Sequence, residues 1–191
     1  MPGLRERNKA RTRAEIRRQA LRLFRDQGYA ATTVEQIAAA AEVSQSTFFR
    51  YFPSKEDVVL RDDLDPLVYE AFVAAPAELT PIQAFRSAIR TVYLGLSPEQ
   101  RAEEWARHRL TQSVPELRAR NLDSLLQAMG LFTEAVARRV GRQPDDLAVR
   151  AFVGALVGVG LAVLLNADQD PSGYLELFDE GLAQLEAGLP L

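Results

Sequence analysis

Four consecutive residues, Ser44, Gln45, Ser46 and Thr47, offer short hydroxyl and amide groups with no charge among them. At the N-terminus of a helix, such side chains reach base edges in a DNA major groove. The exposed backbone N–H groups at that end also favour phosphate. Ahead of them lies a run of cations. Residues 1–25 hold nine basic side chains (Arg5, Arg7, Lys9, Arg11, Arg13, Arg17, Arg18, Arg22, Arg25) against Glu6 and Glu15, a net of +7. Residues 1–60 carry 11 basic and 7 acidic groups, net +4, and the remainder carries 12 and 19, net −7, for a total of −3. A basic head on an acidic body suits a polyanion partner such as double-stranded DNA, with a solvated charged helix face as the alternative.

Other chemistries lack their residues. Without cysteine there is no disulfide framework, thiolate zinc site, iron–sulfur cluster or cysteine nucleophile. His108 is the one histidine, so multi-histidine metal sites are excluded. No Gly-x-Ser-x-Gly, phosphate loop or metal-ligand cluster supports an enzyme, and neither a metal nor an organic cofactor is expected. The N-terminus has no apolar h-region, and the longest apolar run, 151–165, falls short of the ~20 residues that span a bilayer. These features predict a cytoplasmic protein with no membrane partner.

The elements that position the polar quartet read as helices throughout, in an all-α chain of nine. At 191 residues, 47% apolar and 26% charged, the chain can bury a real core in one domain or two small ones. A first helix over 12–27 places Ile16, Ala20, Leu23 and Phe24 on one stripe, and Gly28 stops it in a left-handed conformation. A short second helix opens at Thr32 or Thr33, through a capping box to Glu35 or Gln36 respectively. After the turn at Glu42 and Val43, Ser44 caps a third helix over 44–52, with Phe48 and Phe52 packing inward. Pro53 breaks it, and Ser54 caps the next, over 54–75, which Pro66 kinks or divides. Longer helices follow over 80–96, 97–112, 115–140 and 144–166. The last, over 171–187, opens at Pro171 and Ser172. Short connections suit an α-bundle.

Two short helices joined by a tight turn and braced by a third form a helix-turn-helix. Residues 12–59 resemble the DNA-binding domain of TetR-family transcriptional regulators, most sharply in Thr32-Thr33-Val34-Glu35-Gln36-Ile37-Ala38 and in the run from Val43 through Phe48-Phe49-Arg50-Tyr51-Phe52-Pro53-Ser54-Lys55 to Asp57. The resemblance implies a two-domain regulator, with a head over 1–53 and a ligand-binding and dimerisation domain over 54–191. It implies DNA contacts from Thr32 or Thr33, from Ser44, Gln45, Ser46 and Thr47, and from Phe49, Arg50, Tyr51 and Lys55. Three residues depart from the pattern. Glu42 stands where glycine is usual, at about 1 kcal/mol if left-handed; Ser46 replaces a frequent glycine, and Phe49 a frequent tyrosine.

The same resemblance implies a homodimer through the last two helices, and two linked heads then read a palindromic operator. Residues 152–162 are apolar nearly all round, Gly154 and Gly158 would admit a second helix, and the last helix offers Tyr174, Leu175, Leu177, Phe178, Leu182 and Leu185. A purely intramolecular core is the alternative. An effector pocket would draw on Phe72, Phe85, Tyr93, Trp105, His108, Arg109, Met129 and Phe132, suited to a drug-sized, acyl or aromatic ligand; the aromatics serve equally as ordinary core. The Arg50-Tyr51-Phe52-Pro53 run is also similar to regulators of mycofactocin-type redox operons, whose ligands can be acyl thioesters. The expected function is therefore a ligand-released repressor. A sequence-neutral DNA binder is the alternative, opposed by the acidic body and by Gln45 and Thr47.

Overall fold

The computed structural model describes residues 3–61, 63–166 and 173–190. Pro171 and Ser172, expected to open the last helix, lie outside the described residues, as does the side chain of Tyr174. Ten helices are described: α1 Leu4–Gln27, α2 Val34–Ala40, α3 Gln45–Tyr51, α4 Lys55–Leu60, α5 Asp65–Ala74, α6 Pro81–Gly95, α7 Pro98–Ser113, α8 Pro115–Val140, α9 Leu147–Asn166 and α10 Tyr174–Glu186. The count exceeds nine because the 54–75 segment is divided, with Pro66 in the first turn of α5, where a missing N–H leaves no bond unmade.

Two compact units divide the chain, one of 1–61 and 103–121, the other of 62–102 and 122–191. The expected boundary at residue 53 falls inside the first unit. Val58, Val59 and Leu60 of α4 bury in the core of the first unit beside Ile16, Ile37, Phe48 and Phe52. Leu117 of α8 is fully buried in the same cluster.

Local chemistry explains most ends. Thr33 and Gln36 close a capping box on α2, and Thr80 and Gln83 close one on α6. Ser44 and Ser54 accept from the amides of Thr47 and Asp57. Two starts differ from expectation. α1 begins eight residues early, because Arg, Glu, Lys and Ala are good helix formers even without an apolar stripe. α9 begins at Leu147, since Pro144 and Asp145 lie in a turn and Asp146 accepts from the Ala148 amide at 2.8 Å.

In the second unit, Phe72 of α5, Phe85 of α6 and Phe132 of α8 meet edge to face, with Phe132 5.4 Å from Phe85 and 6.3 Å from Phe72. α9 and α10 approach closely through two glycines. A Cβ on Gly181 would sit 2.7 Å from Val159 Cγ1, and one on Gly160 3.3 Å from the Phe178 ring.

Candidate nucleic-acid interface

The turn between α2 and α3 is a Schellman closure. The Val43 amide donates to the Ala38 carbonyl at 2.9 Å and the Glu42 amide to that of Ala39 at 3.1 Å. Glu42 has φ 53°, in the left-handed region. The same closure ends α8, but there the left-handed residue is Gly141, at φ 66°. Gly28, expected to be left-handed, has φ 89° and ψ 152°, a positive-φ extended conformation open in practice to glycine.

Phe48 and Phe52 anchor α3, both fully buried with ring centroids 6.0 Å apart. The opposite side is left to solvent. Ser44, Gln45, Ser46, Phe49 and Arg50 are exposed, and Thr47 and Tyr51 are half-buried. Ser44 Oγ, besides capping the helix, lies 2.9 Å from Ser46 Oγ and 3.0 Å from Thr47 Oγ1. Three hydroxyls and one amide thus sit together at the helix N-terminus. The Arg50 guanidinium lies 5.4 Å from the Tyr51 ring centroid, a geometry that leaves its N–H donors available.

Two predicted contacts also have structural duties. Thr32 is 1% exposed; its hydroxyl donates to the Gly28 carbonyl at 2.8 Å and accepts from Gln27 Nε2. Its neighbour Thr33 is exposed at the α2 cap. Lys55 Nζ donates to the carbonyls of Tyr29 and Thr32 at 2.9 and 3.1 Å and lies over the Tyr29 ring. It fastens the α1–α2 loop to α4, keeping one N–H beyond those two bonds.

Several braces had no local signal. Tyr29 donates to Glu56 at 2.8 Å, and Arg120 of α8 reaches the same carboxylate at 3.6 Å. Burial pushes Glu56 up, but hydrogen bonds from its own amide, Tyr29 and Ser54, with Arg120, hold it below the usual carboxylate range. Burial and the same carboxylate push the Tyr29 phenol up. Arg17 is buried, donates to the Arg61 carbonyl at 2.8 Å, and lies over Phe52. Arg107 of α7 joins Glu104 at 2.7 Å and the Val59 carbonyl at 3.1 Å. Glu104 and Arg107 stand three apart, and the other partners lie 27 to 64 positions apart.

The predicted effector residues are not gathered in one unit. Trp105 and His108, with rings 5.9 Å apart, and exposed Arg109 belong to the first unit. Phe72, Phe85, Tyr93, Met129 and Phe132 belong to the second. There, Phe72, Phe85 and Phe132 are buried core, Met129 packs against them, and Tyr93 lies under the Arg101 guanidinium. A separate open cavity of about 410 Å³ is lined by Gln83, Arg86, Ser87, Arg90, Thr91, Leu94 and Asp179.

A capped short helix, a left-handed turn and a second helix with an exposed polar N-terminus, all braced by α1, define a helix-turn-helix transcriptional regulator. Residues 16–61 match the family of bacterial regulatory proteins of the tetR type, and residues 79–190 match the MftR C-terminal domain. The chain belongs to the TetR family. It is 39% identical to the HTH-type transcriptional regulator TcmR of Streptomyces glaucescens, an alignment covering 98% of this chain and 88% of that protein. Its fold is similar to that of FadR from Thermus thermophilus, a TetR-family repressor solved with lauroyl-CoA (TM-score 0.56, 24% identity, 94% and 95% coverage). It is also similar to GusR of Salmonella enterica (TM-score 0.59, 19% identity, 93% and 94% coverage). No helix among the described residues is long and apolar enough to cross a membrane.

Proposed function

We propose that this chain is a homodimeric repressor that reads a palindromic operator through α3 and is released by a small, largely apolar effector. The observation that carries the reading is the cluster of Ser44, Ser46 and Thr47 hydroxyls beside exposed Gln45, on a helix whose other face is locked by Phe48 and Phe52. Gln45 and Ser46 read base edges, while Thr33, Ser44, Thr47, Phe49, Arg50 and Tyr51 meet sugar and phosphate. Lys55 adds at most its remaining N–H to a phosphate.

Dimerisation through α9 and α10 draws support from the second face of α9. Leu147 is 79% exposed, and a Cβ on Gly154 or Gly158 would meet nothing within 4 Å, so a second copy could approach there. The effector acts on the second unit, where Phe72, Phe85, Tyr93, Met129 and Phe132 supply aromatic and apolar surface; lauroyl-CoA on FadR is a ligand of that character. To favour release, the effector must bind the non-DNA-binding state more tightly.

Footprinting the promoter beside the chain's own gene tests the reading. The expected result is a palindromic, salt-sensitive protected site; uniform or absent protection would sink it. Analytical ultracentrifugation should give a dimer that Leu147→Glu with Gly158→Glu dissociates.

A further inference from the structure

The basic residues of α1 fall into three groups. Arg18 pairs with Glu15 at 2.6 Å, and Arg22 and Arg25 both pair with Asp26. Arg13 and Arg17 lie over the Phe52 ring at 5.5 and 5.9 Å, at the C-terminal end of α3. Arg5, Arg7, Lys9 and Arg11 form no salt bridge among the described residues, and all four are exposed.

These four lie on the first two turns of α1, whose described side chains take no part in either core. Helix formation there runs against electrostatics. Arg5 and Lys9, like Arg7 and Arg11, are like charges at i and i+4, which destabilise a helix. Cations in a first turn also oppose the macrodipole, and Gly3 supplies no side-chain cap. A polyanion relieves the two charge penalties by neutralising the cations, and releases condensed counterions as it does so. Arg13, stacked on Phe52, fixes the base of this segment beside α3. The tetR-type match begins only at residue 16, so the segment lies outside the shared motif.

We infer that residues 4–11 form a helical arm that binds the phosphate backbone of duplex DNA beside the α3 contact, adding affinity without reading sequence. The inference rests on the DNA-binding reading above. The arm spans about 12 Å of helix axis, a stretch in which duplex DNA offers about seven phosphate charges.

The test measures binding of the full chain to its own upstream DNA and to a scrambled duplex of equal length and composition, across a salt series. The variant is Arg5→Gln, Arg7→Gln, Lys9→Gln and Arg11→Gln together; glutamine keeps the helix propensity, and circular dichroism checks the fold. A second variant, Arg18→Gln with Arg22→Gln and Arg25→Gln, removes the internally paired group. If each arm cation meets a phosphate, the slope of log K against log salt falls by about 3.6 per head in the first variant. Affinity for both duplexes should then drop equally, by at least about tenfold at low salt, with the ratio between them preserved. The second variant should change the slope much less. An unchanged slope in the arm variant, or an equal loss in the paired-group variant, would overturn the arm. Absence of salt-sensitive duplex binding by the unsubstituted chain would instead fell the DNA-binding reading, and the arm with it.

Discussion

The two units of this chain are held together by different means. In the first, short helices of six or seven residues could not persist alone; side-chain caps fix their ends, and Phe48 of α3 with Phe52 just after it pins them to α1. In the second, long helices need fewer caps and depend on how closely their surfaces meet, as at Gly181 against Val159. Polar ties cut across this division. Arg17, Lys55 and Arg107 donate to main-chain carbonyls in the first unit, and Arg139 donates to those of Ala75 and Leu79 in the second, where Arg86 also pairs with Asp179 and Glu186. The units differ in how their helices are fixed, not in the kind of polar tie.

The sharpest way to break this contrast is Phe52→Ala. Removing a fully buried ring from the first unit should cost about 3–5 kcal/mol and abolish DNA binding, read by urea unfolding and gel shift; a loss below 1 kcal/mol would contradict the pinning. Next comes Gly181→Ala, whose methyl collides with Val159 and should cost about 1–3 kcal/mol. Adding Val159→Ala should recover part of that loss by relieving the collision, an outcome a propensity effect alone would not give.

Arg86→Leu should cost about 2 kcal/mol near neutral pH. Hydrogen bonding to Arg86, against a smaller effect of burial, holds the Asp179 carboxyl below the usual range. A carboxyl depressed in the folded chain adds stability above its unfolded pKa of about 3.9 and loses it as pH falls through the folded value. The gap between Arg86→Leu and the parent should therefore be full at pH 7 and shrink below about pH 4; a gap constant with pH would show that packing, not charge, is lost. The smallest effect is a gain. Glu42→Gly relieves a left-handed side chain and should stabilise the first unit by about 0.5–1 kcal/mol, measurable as a higher Tm with the operator sequence preference unchanged.

The first unit was the more legible because its signals are local. Thr33, Ser44 and Ser54 stand three residues before their partners, and Phe48 and Phe52 share a face by spacing alone. What escaped were ties such as Tyr29 to Glu56 and Arg17 to Arg61, which no periodicity encodes. The burial of Thr32 escaped for the same reason, since adjacent threonines look alike until the Gly28 carbonyl claims one. In the second unit, the sequence drew attention to Gly154 and Gly158, yet the helix contacts inside the chain run through Gly160 and Gly181. Spacing shows where a glycine sits along a helix but not which neighbour faces it. Likewise Trp105, His108 and Arg109 share a helix face by arithmetic, whereas their unit is decided by where α7 packs.

The division of labour on α3 also bears on how such a chain can change its target. Ser44 is held by its cap, and Phe48 and Phe52 by the core, so none can vary without loss of stability. Gln45 and Ser46 are exposed and neither caps the helix, although Ser46 Oγ meets Ser44 Oγ at 2.9 Å; mutation there should carry little folding cost. If Gln45 and Ser46 read the operator as proposed above, lineages descending from a duplicated copy could drift to new promoters through these two positions while the scaffold stays under selection, which would make the address of the regulator far easier to rewrite than its architecture.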